Sequence, residues 1–164
     1  MKNLKSSWKI IAASLLTVFQ YILTFWDYEL SGILFLQWLG WAFWLLSVYF
    51  GFAPIFIFRK LGGVARGKSY VQTTKLVDTQ LYAIVRHPQY LAGILFNLSM
   101  VLLAKKWLVL LPGILSGCLI YWDIQDADQE GIEKFGEAYR EYMKRIPQIN
   151  FFKGLIQQIL RGKK

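Results

Sequence analysis

Ser31–Phe58, SGILFLQWLGWAFWLLSVYFGFAPIFIF, decides the fold class: 28 consecutive residues carry no charge and no polar face. At 1.5 Å per residue a helix of that length extends about 42 Å. A bilayer core is about 30 Å thick, so the run is long enough to cross it while tilting, bending at Pro54, or lying partly along the interface. Three shorter runs flank it: Ile10–Trp26, Gln89–Ala104 and Trp107–Ile124, the last charged only at Asp123. Each would make a helix of about 24–27 Å. The expectation is an all-α, polytopic transmembrane helical bundle of about four spans, near 10–26, 31–58, 89–104 and 107–124. A polar loop over 59–88 and a C-terminal helix and foot over 125–164 complete a single domain of 1–164. The alternative, four buried helices of a soluble bundle, requires polar faces that these runs lack. The first run has no small-x-small cleavage pattern after it, so it reads as a span rather than a signal peptide.

Composition agrees. The 164 residues are 55% hydrophobic and 17% aromatic, with only 18% charged, where soluble domains carry about 25% charged residues. One cysteine, Cys118, excludes an internal disulfide framework, a CxxC centre and a multi-cysteine zinc site. The net charge of +9 is unevenly placed. Seventeen of the nineteen basic residues (including Lys2, Lys5, Lys9, Arg59, Lys60 and Arg66) fall on segments that four spans would put on one side. Lys105 and Lys106, with acidic Asp27 and Glu29, fall on the other. That asymmetry predicts both termini in the cytoplasm and assigns the basic charge to topology and lipid headgroups rather than to nucleic acid.

Lipid excludes polar groups, so chemistry is expected in 59–88 or after Ile124. Gly62-Gly63 and Gly67 read as loop. Pro88 starts the third run, placing Arg86 and His87 at a helix N-terminus, where free N–H groups favour an anion. His87 is the sole histidine; by position alone a histidine before proline at an interface is more often an anchor or cap than a catalytic group, and Tyr82 and Tyr90 read equally as belt aromatics. With no ligand cluster around His87, no metal is expected. Downstream, Ile132, Phe135, Tyr139, Tyr142, Met143 and Ile146 recur at three and four, one face of a helix over 126–146. Glu130–Lys134 and Glu141–Arg145 are expected as i,i+4 pairs on its solvent side. Gly136 interrupts this helix, which suggests a closely packed neighbour, and Pro147 ends it. Residues 151–160 read as an amphipathic foot on the anionic leaflet. Asp123, Asp126 and Asp128 either solvate a helix exit or face the mouth of the third run.

Two segments carry a resemblance. VRHPQYLAGIL resembles the R-H-P-x-Y-x-G signature of the isoprenylcysteine carboxyl methyltransferase and phospholipid methyltransferase superfamily. IEKFGEAYREYMKRIPQINF resembles its second block, F-G-x-x-Y-x-x-Y followed by I-P. Together they cover about half the chain, Thr73–Phe152. The resemblance implies an integral membrane enzyme that uses S-adenosylmethionine to methylate a lipophilic small molecule or lipid. It places cofactor contacts on Thr74, Lys75, Leu76, Val77, Tyr82, His87, Pro88, Gln89, Tyr90 and Gly93, with Asp128 as a carboxylate for the amino or ribose groups. His87 and Asp128 are the candidate proton acceptors. Three positions depart from the pattern. Ala127 stands for the first residue of an acidic pair, Asp123 for an arginine of the eukaryotic branch, and Gln80 for a glycine. Two other functions are expected as alternatives: an NADPH-dependent sterol-type reductase, which shares R-H-P-x-Y, and a catalytically silent lipid-binding protein.

Overall fold

The computed structural model describes residues 8–26 and 33–161. Lys2, Lys5, Asp27, Glu29, Lys163 and Lys164, and the expected start of the second run at Ser31, lie outside the described residues. Among the described residues there are six α-helices and no strand. The helices are α1 (Trp8–Phe25), α2 (Leu34–Leu61), α3 (Pro88–Ala104), α4 (Trp107–Phe135), α5 (Glu137–Arg145) and α6 (Phe151–Arg161). A 3-10 turn, Gln80–Ala83, precedes α3. Helices α1, α2 and α4 are long and apolar enough to cross a membrane; α3, with 17 residues, is apolar but shorter.

The apolar runs and the helices coincide to within a few residues except at α4, which continues eleven residues past Ile124. The apolar signal stops there, but residues 125–135 hold no proline and a single glycine, Gly131, so the backbone hydrogen bonds continue to Phe135. The break at Gly136 divides the expected 126–146 helix into the end of α4 and α5. Gly136 is not tightly packed as the sequence suggested: a Cβ there would meet nothing within 4 Å. Its backbone sits at φ 60°, ψ −133°, a region that essentially only glycine occupies, and this turn starts α5. The crowded glycine is Gly131, whose Cβ would stand 2.4 Å from Tyr139 Cζ.

The chain forms two compact units, 1–49 with 92–125, and 50–91 with 126–164. In the first, Met100, Leu103, Ala104 and Val109 form a buried cluster packed by Leu23, Trp44, Phe96 and Val101. Gly40 lets α2 approach α3, since a Cβ would lie 2.9 Å from Leu103 Cγ. Lys9 lies 4.5 Å over the Trp122 ring.

The buried polar groups of this unit form a hydrogen-bonded network. Thr17 Oγ1 meets Asn97 Oδ1 at 3.1 Å and Ser116 Oγ at 2.9 Å. Asn97 Nδ2 donates to Ser116 Oγ and to the Gly93 carbonyl. Gln20 Nε2 donates to the carbonyls of Asn97 and Val109, 3.0 and 3.1 Å away. Gln20 and Ser116 are 0% exposed, whereas Leu15 is 66% and Trp38 74% exposed. A buried polar network beside an apolar cluster, with large apolar side chains exposed around them, is the arrangement that a hydrocarbon surrounding stabilises.

Replacing the central amide, Asn97→Leu, removes donors to Ser116 and Gly93 and leaves Thr17 short of a partner. The expected loss is about 1–2 kcal/mol of folding free energy in detergent or bicelles, read as a shift of the SDS-unfolding midpoint. An unchanged midpoint would contradict the network's role.

Candidate functional site

The second unit is organised by one carboxylate. Asp128 is 4% exposed and accepts four hydrogen bonds. Arg86 Nη2 and Gln148 Nε2 donate to Oδ2, each at 2.8 Å. His87 Nε2 lies 2.7 Å from Oδ1 and Tyr139 OH donates to the same oxygen at 2.9 Å. The residues arrive from four places: the segment before α3, the extended portion of α4, α5, and the strap after α5.

The same two positions bind the strap through the backbone. Arg86 N donates to the Pro147 carbonyl and His87 N to the Gln148 carbonyl, both at 3.0 Å. Arg86 Nη1 also donates to the carbonyls of Met143 and Ile146 at 2.9 and 2.5 Å. These are acceptors that the end of α5 leaves unpaired, and a cation there is also favoured by the helix dipole. Beside this junction the expected face of Tyr139, Tyr142 and Ile146 packs with Leu76, Ile132, Phe135 and Met143.

Burial alone would raise the Asp128 carboxyl. The hydrogen bonds from His87, Arg86 and Gln148, and the His87 charge, instead hold it well below the usual carboxylate range. Asp128 lies beyond the apolar stretch of α4 that ends at Ile124. Burial pushes the phenols of Tyr82, Tyr139 and Tyr142 far above their ordinary 10. All three therefore remain protonated donors at neutral pH; Tyr142 OH donates to the Tyr82 carbonyl at 2.7 Å.

Against this junction lies a cleft of about 280 Å³. One wall is Lys75, Leu76, Val77, Tyr82, Arg86, His87, Pro88, Gln89 and Tyr90. A second wall is a single stripe of α4, Ala127, Glu130, Gly131, Lys134 and Phe135, and Phe58, Val71, Thr73, Tyr139 and Tyr142 complete the lining. The spacing of the stripe is three, one, three and one, which is one face of a helix. The absence of a Cβ at Gly131 admits the Tyr139 ring, and Lys134 Nζ donates to Thr73 Oγ1 at 3.0 Å. Phe58 and Tyr82 stack with centroids 4.7 Å apart, and His87 meets Tyr90 edge to face at 5.5 Å. Gln89 Nε2 donates to Tyr70 OH and to the Gly51 carbonyl.

Of the residues singled out from sequence, Lys75, Leu76, Val77, Tyr82, His87, Pro88, Gln89 and Tyr90 come together on the cleft. Asp128 stands behind the wall, engaged by His87 and Arg86. Thr74 does not line the cleft; its hydroxyl donates to the Gly63 carbonyl. Gly93 lies in the other unit, where its missing Cβ admits Ile120 Cδ1. Asp126 is exposed and Asp123 is buried in the first unit.

Sequence reading missed the α4 wall, because Glu130 and Lys134 fit a solvent-side i,i+4 pair and Lys134 instead reaches Thr73. Glu141 likewise pairs with Lys144, and Arg145 with Asp78 at 3.3 Å. The usable signal was the shared helical face of Ala127, Glu130, Gly131 and Lys134. Gln80, the departure from glycine, has φ 55°, in the left-handed region where an L side chain is strained.

The carboxylate is the element to test. Asp128→Ala leaves Arg86 and His87 buried without their acceptor and should cost about 3–5 kcal/mol, measured by thermal unfolding against the parent. The acid dependence follows from the sign of the shift. The folded carboxyl titrates below its ordinary 3.8, so its stabilisation is complete above about pH 4 and declines as pH falls further. Asp128→Ala should flatten that decline. A second outcome concerns strain: Gln80→Gly should stabilise by about 0.5–1 kcal/mol, in the same assay.

No protein-family model, no curated protein and no solved structure matches the chain, so the functional reading rests on the cleft itself and on the residue patterns quoted above.

Proposed function

We propose that the protein is an integral membrane methyltransferase that moves a methyl group from S-adenosylmethionine to a lipophilic acceptor, an isoprenylcysteine-like carboxylate or a lipid. One observation carries the reading. The residues of the R-H-P-x-Y segment and of 75–77 line one cleft with the α4 face that leads into F-G-x-x-Y.

The donor set suits the cofactor. Arg86 Nε is buried and has no hydrogen-bond partner among the described residues, and Arg86 lines the cleft with Lys75. These are donors for a carboxylate. Glu130 is an acceptor for an ammonium or a ribose diol, and Phe58, Tyr82, Tyr90 and Phe135 offer aromatic faces to a purine or a sulfonium. The cleft volume lies just below the range of about 300–1,000 Å³ usual for ligand sites.

When bound, S-adenosylmethionine supplies a methyl group on a sulfonium, open to in-line displacement by a nucleophile. The chain's part is positioning, which is worth about 7–11 kcal/mol when two reactants are held at near-attack geometry. Asp128 is a poor proton acceptor: four donors occupy it and its carboxyl is held below the usual range. The carboxylate also takes His87 Nε2 as a donor, so that ring nitrogen is engaged as well. This favours an acceptor that needs no deprotonation, such as a carboxylate.

The reading includes a topology. Four spans would put both termini and the cleft on the cytoplasmic side of the cell membrane, as the basic residues favour. The acceptor's apolar part reaches the cleft from the bilayer and the cofactor from water. A second reading, a catalytically silent lipid-binding protein, is favoured by one observation: Ala127 lines the cleft where the resembled family carries an acid.

The test is ligand-dependent stability of the detergent-solubilised full chain. S-adenosylhomocysteine at about a hundred times its Kd should stabilise by about 2.7 kcal/mol, visible as a rise in Tm of several degrees. Lys75→Ala should weaken that affinity about tenfold, while membrane lipid extract with labelled S-adenosylmethionine yields an organic-soluble product. A rise with NADPH alone would transfer the site to the reductase reading. No rise with either ligand would leave lipid binding.

A further inference from the structure

Helix α6 is held by the wrong face for a water-soluble protein. At about 100° per residue, Phe151, Gly154, Gln157 and Arg161 share one side and Phe152, Leu155, Ile156, Ile159 and Leu160 the other. The first side is docked. A Cβ at Gly154 would fall on the Ile84 carbonyl oxygen, so the helix backbone touches the chain there. Phe151 packs on Phe50 with centroids 5.4 Å apart, Gln157 buries its amide oxygen, and Arg161 Nη2 donates to the Arg145 carbonyl at 2.6 Å. The five aliphatic and aromatic side chains of the other side are all exposed, Phe152 at 78% and Leu160 at 61%.

We infer that this ridge is the chain's contact with the interfacial layer of an anionic bilayer, α6 lying in the membrane plane. The inference is independent of the chemistry of the cleft. Three observations select that occupant. An 11-residue helix is about 16 Å long, half of what a bilayer core requires, so α6 cannot cross it. A ridge about 16 Å by 10 Å also falls far short of the roughly 800 Å² per partner of a stable protein interface, which argues against a second copy. Charge complements anionic headgroups: residues 151–164 contain Lys153, Arg161, Lys163 and Lys164 and no acid. The ridge is thus apolar and narrow, in a C-terminal segment whose only charges are cationic, which is the chemistry of the headgroup–acyl boundary.

The experiment uses the full chain with Cys118→Ser, reconstituted in nanodiscs containing phosphatidylglycerol, and a nitroxide at either Ile156→Cys or Gln158→Cys. The label at 156 should be several-fold more accessible to oxygen than to a charged nickel chelate, and the label at 158 the reverse. Discs of pure phosphatidylcholine should reduce the oxygen preference at 156. Nickel accessibility at 156 equal to that at 158 would overturn the proposal. So would spin–spin broadening at 156 that disappears on dilution with unlabelled protein, which would assign the ridge to a second copy. An oxygen preference at 156 indifferent to lipid charge would overturn the headgroup half of it.

Discussion

The second unit depends on one buried negative charge. A carboxylate removed from water is stable only when its lone pairs are filled, and Asp128 fills them with Arg86, His87, Tyr139 and Gln148. Each of these donors is also committed elsewhere. Arg86 closes the end of α5, His87 opens α3, Tyr139 fits the space at Gly131, and Gln148 belongs to the strap that Arg86 and His87 hold by their backbone N–H groups. The four elements therefore meet in one arrangement, because any other leaves a charge or a donor buried alone. The cleft inherits its shape from that junction. Its walls are fixed by a group that is not itself on its surface.

Much of the architecture was legible because hydrocarbon leaves a coarse mark on sequence. Charge-free runs of 16 residues or more have few alternatives to helices, and each of the four runs forms one, three of them long and apolar enough to cross a membrane. The end of α4 was not legible, since the apolar signal stops at Ile124 and the helix continues to Phe135 beyond it. Nor was the Gln20–Asn97–Ser116 network visible. Isolated Thr, Ser, Asn and Gln inside an apolar run carry no periodic contrast, and the bonds that tie α1 into the network span 77–103 positions.

For the cleft, the wall from 75 to 90 was legible through its resemblance to a known motif, whereas the α4 wall was not. Glu130 and Lys134 satisfy a simple local rule, the i,i+4 pair, and tertiary structure overrides it by giving Lys134 the Thr73 hydroxyl. Glycine was misread in the same way. One in a helix signals either close packing or a forbidden backbone angle; Gly131 is the first and Gly136 the second, and sequence does not separate them. Thr74 was displaced by one hydrogen bond to Gly63, and Gly93 by one turn of helix.

The polar network of the first unit has a consequence for biogenesis. Thr17 and Gln20 on α1 find their partners only on α3 and α4, and the latter two are joined by just Lys105 and Lys106. On the proposed membrane reading, a newly inserted α1 would present an amide and a hydroxyl to acyl chains until a helical hairpin made some eighty residues later arrives. Retention of the first helix in a bilayer before that moment would then come from its leucines and aromatics, and delivery of the hairpin as one piece would be the step that commits the bundle.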